Sequence, residues 1–170
     1  MSKVNESEPH WYAFVTKPRH EKKARLSLEG AGIENFLPMK KSLKQWKDRR
    51  RWVEEPLFSC YIFVRIPYNR RWEVQTSPSV VRIVNFLNVP APVRDEEIAA
   101  IRRILTTGVE VEVQPGLLPG TAVRIASGPL AGLEGVLTGQ RGQKWFVVQV
   151  PAIGKSVLVS MEDNLVDVVK

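Results

Sequence analysis

The tightest constraint on the fold lies between residues 119 and 137. Two short alternating runs, Val123/Ile125 and Leu133/Val136, flank a turn built from Ser127, Gly128, Pro129 and Gly132. Alternation at a period of two marks half-buried strands. A turn so rich in Gly and Pro supplies positive φ and close backbone approach, so the stretch reads as the corner of a small barrel. Strands are expected near 121–126, 133–138, 144–150, 155–160 and 165–169, with Gly/Pro turns at 139–142 and 151–154, which gives a five-stranded closed barrel. So small a module has a limited core and is marginally stable alone.

The preceding residues carry a different pattern. Residues 11–16 form a short apolar and aromatic strand ended by Lys17-Pro18, and 19–30 read as a helix with Ala24, Leu28 and Ala31 on its apolar face and a stop at Gly30 and Gly32. A second strand is expected over 35–41 and a long third strand over 51–66, whose run Leu57, Phe58, Tyr61, Ile62, Phe63, Val64 suits burial on both faces. A short helix over 70–76 and a strand over 80–86 follow, then the rigid connection Pro90-Ala91-Pro92. Asp95 caps a further helix with Glu96 and Glu97 in its first turn, an inner stripe of Ile98, Ile101 and Leu105, and a stop at Gly108. The fold class is therefore α+β: a disordered tail over 1–9, an α/β sandwich with an antiparallel sheet over 10–108, a linker over 109–118, and the barrel over 119–170.

Charge is unevenly distributed. Residues 1–114 hold 20 Lys/Arg against 14 Asp/Glu, whereas 115–170 hold 5 against 4, so the basic surface belongs to the first half. Residues 40–51 carry seven basic side chains and one acid, Asp48. Such a run is either a solvated loop or a phosphate-contacting hairpin. The lone Cys60 sits in an apolar run and reads as a buried reduced thiol. The polar N-terminus and the lack of a long apolar run point to a cytoplasmic chain without a membrane span. Two histidines, one cysteine, no metal-ligand spacing, no phosphate-binding glycine loop and acids paired only as neighbours (Glu54/Glu55, Glu96/Glu97) point away from an enzyme, a metal site or a cofactor.

Apolar-Arg-apolar followed by Gly-Pro-Leu-x-Gly-x-x-Gly resembles a KOW motif, on Gly120, Val123, Arg124, Ile125, Gly128, Pro129, Gly132 and Gly135. Upstream, Trp11-Tyr12-Ala13-Phe14-Val15-Thr16-Lys17-Pro18, Arg19-His20-Glu21-Lys22-Lys23, Phe36-Leu37-Pro38 and residues 56–64 occur in an order similar to the NusG family of transcription elongation factors. Residues 80–84 and 90–98 are more similar to specialised NusG paralogues, the UpxY-like antiterminators of polysaccharide-type operons. The resemblance implies an N-terminal NusG (NGN) domain and a C-terminal KOW (SH3-like) barrel in a monomer. The first domain would dock on the clamp helices of the largest RNA polymerase subunit, bridge the DNA cleft and suppress pausing and termination. The second would recruit another factor, with Rho or a small-subunit ribosomal protein as the partner types.

Carried onto this chain, the resemblance puts polymerase docking on Phe58, Ser59, Tyr61, Val15 and Phe86. Contact with the non-template DNA strand or upstream duplex falls on Lys17, Arg19, His20, Lys23, Arg70 and Arg71. The family usually has Pro-Gly or Pro-Asn where Ser59-Cys60 stands, so a docking loop of different shape is expected. Periodicity alone leaves Phe58 and Tyr61 as either core or surface, since residues three apart in a strand face opposite ways unless the chain bends after Ser59. The cations are either DNA contacts or ordinary solvated surface. Two other readings remain: a ribosome-associated RNA-binding KOW protein, and an RNA-hairpin reader acting through residues 40–51. Some specialised paralogues hide the docking surface under an all-helical KOW domain. Here the β-branched residues Val147, Val148, Val157, Val159, Val166, Val168 and Val169, broken by Gly and Pro, favour a persistent barrel.

Overall fold

The computed structural model describes residues 4–161 and 166–168; Leu165 and Val169, the ends of the last expected strand, lie outside the described residues. The chain divides into two compact units, Met1–Asp95 and Glu96–Lys170. The first unit contains β1 (Pro9–Thr16), α1 (Glu21–Gly30), β2 (Asn35–Phe36), β3 (Met39–Gln45), β4 (Arg50–Pro56), β5 (Tyr61–Pro67) and a 3-10 turn (Tyr68–Arg70). It continues through α2 (Arg71–Gln75), β6 (Val80–Ile83), β7 (Asn85–Phe86), β8 (Val89–Pro90) and β9 (Pro92–Val93).

Its central antiparallel sheet runs β2-β5-β1-β6, with β9 also on β1. One sheet face carries Tyr12 and Phe14 opposite Val64 and Ile62. Ala24 and Leu28 of α1, with Tyr68 and Val74 from the turn and α2, bury that face. Ala31 is exposed and takes no part in the α1 stripe; it is the C-cap, one residue before Gly32 at φ 69°. Before β1, residues 5–8 form a turn, and the Glu6 carbonyl accepts from the Asn69 N–H at 3.2 Å.

Three expected strands are broken. The 35–41 run stops at Leu37-Pro38, and Met39 starts a separate two-stranded sheet with β4. The 51–66 run is two strands, because the chain turns between Pro56 and Tyr61 with Cys60 at φ 65°. Leu57 and Phe58 fold into the core within that turn, so apolar character continues where the strand does not. Beyond it, Ile62, Phe63 and Val64 are all buried, as a strand covered on both faces requires. The 80–86 run stops at Ile83, and the next residues form the small β7/β8 hairpin. Cys60, expected in the core, is a half-buried free thiol at the turn.

From its second residue on, α3 (Asp95–Thr107) belongs to the second unit; its buried stripe is Ile98, Ala100, Ile101 and Ile104, with Glu97 also buried. Leu105, expected in that stripe, is half-buried beside it, and Gly108 at φ 72° ends the helix. Then follow β10 (Val111–Pro115), β11 (Thr121–Ile125), β12 (Glu134–Gln140), β13 (Gln143–Val150), a 3-10 turn (Pro151–Ile153), β14 (Lys155–Ser160) and β15 (Val166–Val168). The antiparallel order β10-β14-β13-β12-β11-β15 contains the five expected strands and one more. The extra strand, β10, lies within the stretch read as a linker. It pairs with β14 from Val111↔Val159 to Pro115↔Lys155. Just beyond it, the buried Ser156 hydroxyl donates to the Gly116 carbonyl at 2.8 Å, and Gln149 Nε2 donates to the Leu118 carbonyl at 2.7 Å. Val123, Ile125, Leu130, Phe146, Val148, Val150, Val157 and Val159 are buried in this unit.

Candidate functional site

Register sets Val15 opposite both Tyr61 on β5 and Arg82 on β6, on the sheet face away from α1 and α2. Val15 and Tyr61 are half-buried. Phe58, expected as a docking ring, is instead 1% exposed and packs edge-on against Phe63, with centroids 5.8 Å apart and an interplanar angle of 82°. The bend after Pro56 turns it inward, so of the two expected aromatic anchors Tyr61 alone reaches the surface. Ser59 is exposed. Cys60 adopts a left-handed backbone that costs a side-chain-bearing residue about 1–2 kcal/mol. Glu21 Oε1 accepts its N–H at 2.8 Å. Gly or Asn takes that backbone more readily than Cys, so the departure from the family pattern alters the side chain at a position whose conformation suits the usual residues.

Phe86 stands on the β7/β8 hairpin and is 72% exposed. Leu87 and Asn88 form its two-residue turn with φ 49° and 60°, the doubly left-handed pairing that matches strand twist. Leu87 is 81% exposed, and Val89 is exposed as well. The sequence signal for this hairpin is Asn88 between apolar neighbours, a weak one because Leu at positive φ is uncommon.

The basic residues fall into two groups set by β1. Lys17, Arg19 and Lys23 are exposed at its C-terminal end, Arg19 at φ 63°. His20 Nδ1 lies 3.4 Å from the Ser79 hydroxyl. Arg70 and Arg71 follow Pro67, which pairs with Pro9 at the other end of the strand, about 20 Å away along its axis. The Arg70 guanidinium forks onto Glu73 at 2.6 and 2.7 Å. That hydrogen-bonded pairing raises its pKa and lowers that of Glu73. Arg71 lies over the Tyr68 and Trp72 rings at 4.2 and 4.4 Å.

The first basic group adjoins the β3/β4 hairpin. Arg19, Lys22 and Lys40 share with Glu21, Glu54, Glu55 and Ser59 an open cleft of about 460 Å³. Along the ribbon, Lys41, Leu43 and Gln45 oppose Glu54, Trp52 and Arg50 on one face, while Lys40, Ser42 and Lys44 oppose Glu55, Val53 and Arg51 on the other. Ser42 donates to Glu55 at 2.8 Å, and Lys44 sits 3.0 Å from the same carboxylate. The hydroxyl first and the ammonium second hold the Glu55 carboxyl below the usual carboxylate range. The Trp46 N–H donates to the Arg49 carbonyl across the tip. Trp46 and Trp52 are 56% and 65% exposed, and their sequence signal is Trp interleaved with Lys and Arg over 40–52.

In the barrel, Val123 and Ile125 are buried, and Arg124 pairs with Glu134 across β11 and β12. Gly128 and Gly132 hold φ near 84° and 85° around Pro129, whose carbonyl accepts from Arg103 Nε at 3.1 Å. Gly120 and Gly135 are required for space. A Cβ on Gly135 would lie 2.5 Å from the Val147 carbonyl oxygen, and one on Gly120 2.3 Å from that of Leu137.

Comparison with known proteins agrees with this architecture. The family model described as "Transcription termination factor nusG" matches residues 9–102, more than half of the chain. The transcription termination/antitermination protein NusG of Pseudomonas aeruginosa is 28% identical over 171 residues, covering 92% of this chain and 97% of the relative. That of Yersinia pestis is 27% identical over 141 residues, covering 79% and 77%. The solved structure titled "Domain interaction in Thermotoga maritima NusG" superposes with a TM-score of 0.53 at 23% identity, covering 97% of this chain and 99% of that one, a likeness of fold. With the family model spanning the sheet and both its helices, and the barrel corner downstream, the chain belongs to the NusG family of transcription termination/antitermination factors.

Proposed function

We propose that this chain binds RNA polymerase during elongation and suppresses pausing and termination, as a specialised operon antiterminator. The observation that carries this reading is family membership across residues 9–102, joined to an apolar surface with no catalytic task. Tyr61 and Val15 stand half-open on the sheet, and the β7/β8 hairpin presents Phe86, Leu87 and Val89 to solvent. A processivity factor needs only such apolar area for docking and positive charge beside DNA. Ser59 borders Tyr61 at the turn. Lys17, Arg19, His20 and Lys23 are the cations for the non-template strand or upstream duplex, with Arg71 a lesser contributor from the far end of β1. The KOW barrel recruits a further factor, Rho or a small-subunit ribosomal protein.

The test is binding of the full chain to purified core RNA polymerase, followed by transcription through a pause and a terminator. Tyr61→Ala combined with Phe86→Ala is expected to weaken binding at least tenfold while the melting temperature holds. Undiminished binding by the folded double variant, or no binding by the parent chain, would overturn the reading.

A further inference from the structure

The β3/β4 ribbon is a two-stranded sheet of its own, and it exposes two tryptophans where a soluble surface ordinarily carries none. Trp52 shares one face with Leu43, Lys41 and Arg50. Trp46 and Arg49 lie one residue past the paired register, and the 2.8 Å bond from the Trp46 N–H to the Arg49 carbonyl continues the ladder, so alternation carried on to them gives the face of Lys44 and Arg51. Neither indole makes a ring contact among the described residues, and Lys41, Lys47, Arg49 and Arg51 have no acidic partner there. The one acid engaged on the ribbon, Glu55, is occupied by Ser42, Lys40 and Lys44.

We propose that this ribbon binds single-stranded nucleic acid, stacking unpaired bases on Trp46 and Trp52 while Lys47, Arg49, Arg51 and Lys41 hold the phosphates. Flat aromatic rings flanked by unpaired cations are what a sequence-tolerant single-strand surface requires. The bases of a duplex are already stacked on one another and offer no face to an indole. A protein partner needs contiguous apolar area, yet the two indoles stand on opposite faces, each among cations. The same separation denies a lipid surface a single insertion face, and the positive charge opposes a second copy of the chain. The surface is distinct from the cations of the β1–α1 turn, although the cleft of Arg19, Lys22 and Lys40 adjoins its base.

The test uses the full chain without polymerase. Fluorescence anisotropy is read with a labelled 20-nucleotide single-stranded RNA, the same sequence as single-stranded DNA, the corresponding duplex DNA, and vesicles containing phosphatidylglycerol. Single strands are expected to bind at least tenfold more tightly than duplex, with quenching of tryptophan emission. Trp46→Ala with Trp52→Ala should weaken single-strand binding tenfold or more at an unchanged salt slope, and Trp46→Phe with Trp52→Phe should restore it to within about threefold. Lys47→Gln, Arg49→Gln and Arg51→Gln together should lower the salt slope by about 0.7 per lost contact. Preference for the RNA arm identifies a transcript as the source and preference for the DNA arm a displaced strand, and either supports the proposal. Tighter binding to duplex or to vesicles, or wild-type affinity in the folded Ala pair, overturns it without touching polymerase docking.

Discussion

Glu21 Oε1 accepts the backbone N–H of Cys60 at 2.8 Å, joining the first residue of α1 to the turn that precedes β5. The carboxylate is buried, so it holds the N–H side of a left-handed residue whose carbonyl already accepts from the Thr16 N–H of β1 at 2.9 Å. Removing it leaves a part-buried donor without an acceptor, which costs about 1–3 kcal/mol. Glu21→Ala is therefore expected to lower the melting temperature by several degrees, about 2–4 °C per kcal/mol for a chain of this size. Glu21→Gln keeps an acceptor oxygen and should lose less. Equal melting of all three proteins would show that the contact does not hold the turn.

Phe58→Ala is a folding variant. With the ring edge-on to Phe63 in the core, truncation should cost about 3–5 kcal/mol, whereas Tyr61→Ala should cost far less. Chemical denaturation of both separates the core ring from the surface ring. A Phe58→Ala protein as stable as its parent would contradict the buried placement.

Tyr12 supplies the pH dependence. Burial first, then the neighbouring Tyr68 and Glu6, push its phenol from 10.0 up to about 12, because the fold disfavours the phenolate. The folded-state value is raised, so this contribution to stability is complete below pH 10 and is lost as pH rises through about 12. Its hydroxyl is buried without a hydrogen-bond partner among the described residues, so Tyr12→Phe should melt at or above the parent temperature at neutral pH and lose less stability between pH 10 and 12. A clear loss at neutral pH would mean that the hydroxyl is satisfied.

Arg70 and the β1–α1 turn should behave differently toward duplex DNA. Arg19→Gln with Lys23→Gln is expected to lower the salt slope by about 0.9 per lost phosphate contact. Arg70→Gln should change it much less, because Glu73 already takes both arms of that guanidinium. The dependence of DNA affinity on salt concentration reads this directly, and equal effects would put Arg70 among the phosphate contacts.

Gly135 and Gly139 sit on one strand and should part company. A Cβ at 135 meets the Val147 carbonyl oxygen at 2.5 Å and the Phe146 ring at 2.7 Å, whereas at 139 the nearest atom is 4.0 Å away. Gly135→Ala should destabilise the barrel by at least about 1–3 kcal/mol, and Gly139→Ala should be close to neutral. Amide exchange over residues 121–160 would distinguish them.

Elements that carry their own boundary signals were legible in the sequence. β1 ends at Lys17-Pro18, α3 runs from Asp95 to the stop at Gly108, and β11, β12 and β13 are each bracketed by Gly or Pro. Periodicity misleads where apolar residues fill a turn: Leu57 and Phe58 extend the pattern of a strand through a bend, so the inward turn of Phe58 and the left-handed Cys60 were hidden. β10 was hidden for the opposite reason, since its alternating Val111 and Val113 run into Pro115-Gly116 and resemble a connector until β14 pairs with them. The site was legible as composition, not as geometry. The positive charge on residues 40–51 was evident, but only the folded ribbon shows which cations Glu55 occupies and sets Trp52 opposite Leu43, with Trp46 just past the paired register at the tip.

The β3/β4 ribbon satisfies its strand pairing within eighteen contiguous residues, Met39–Pro56, and its tip contributes no side chain to the buried cluster around Tyr12 and Phe14. Its outer half is therefore released from the selection that packing imposes, and can be lengthened, shortened or exchanged between related chains as a cassette while the sheet beneath stays the same. Divergence in what such proteins recognise would accumulate there first, as changes in ribbon length and aromatic placement rather than in the core.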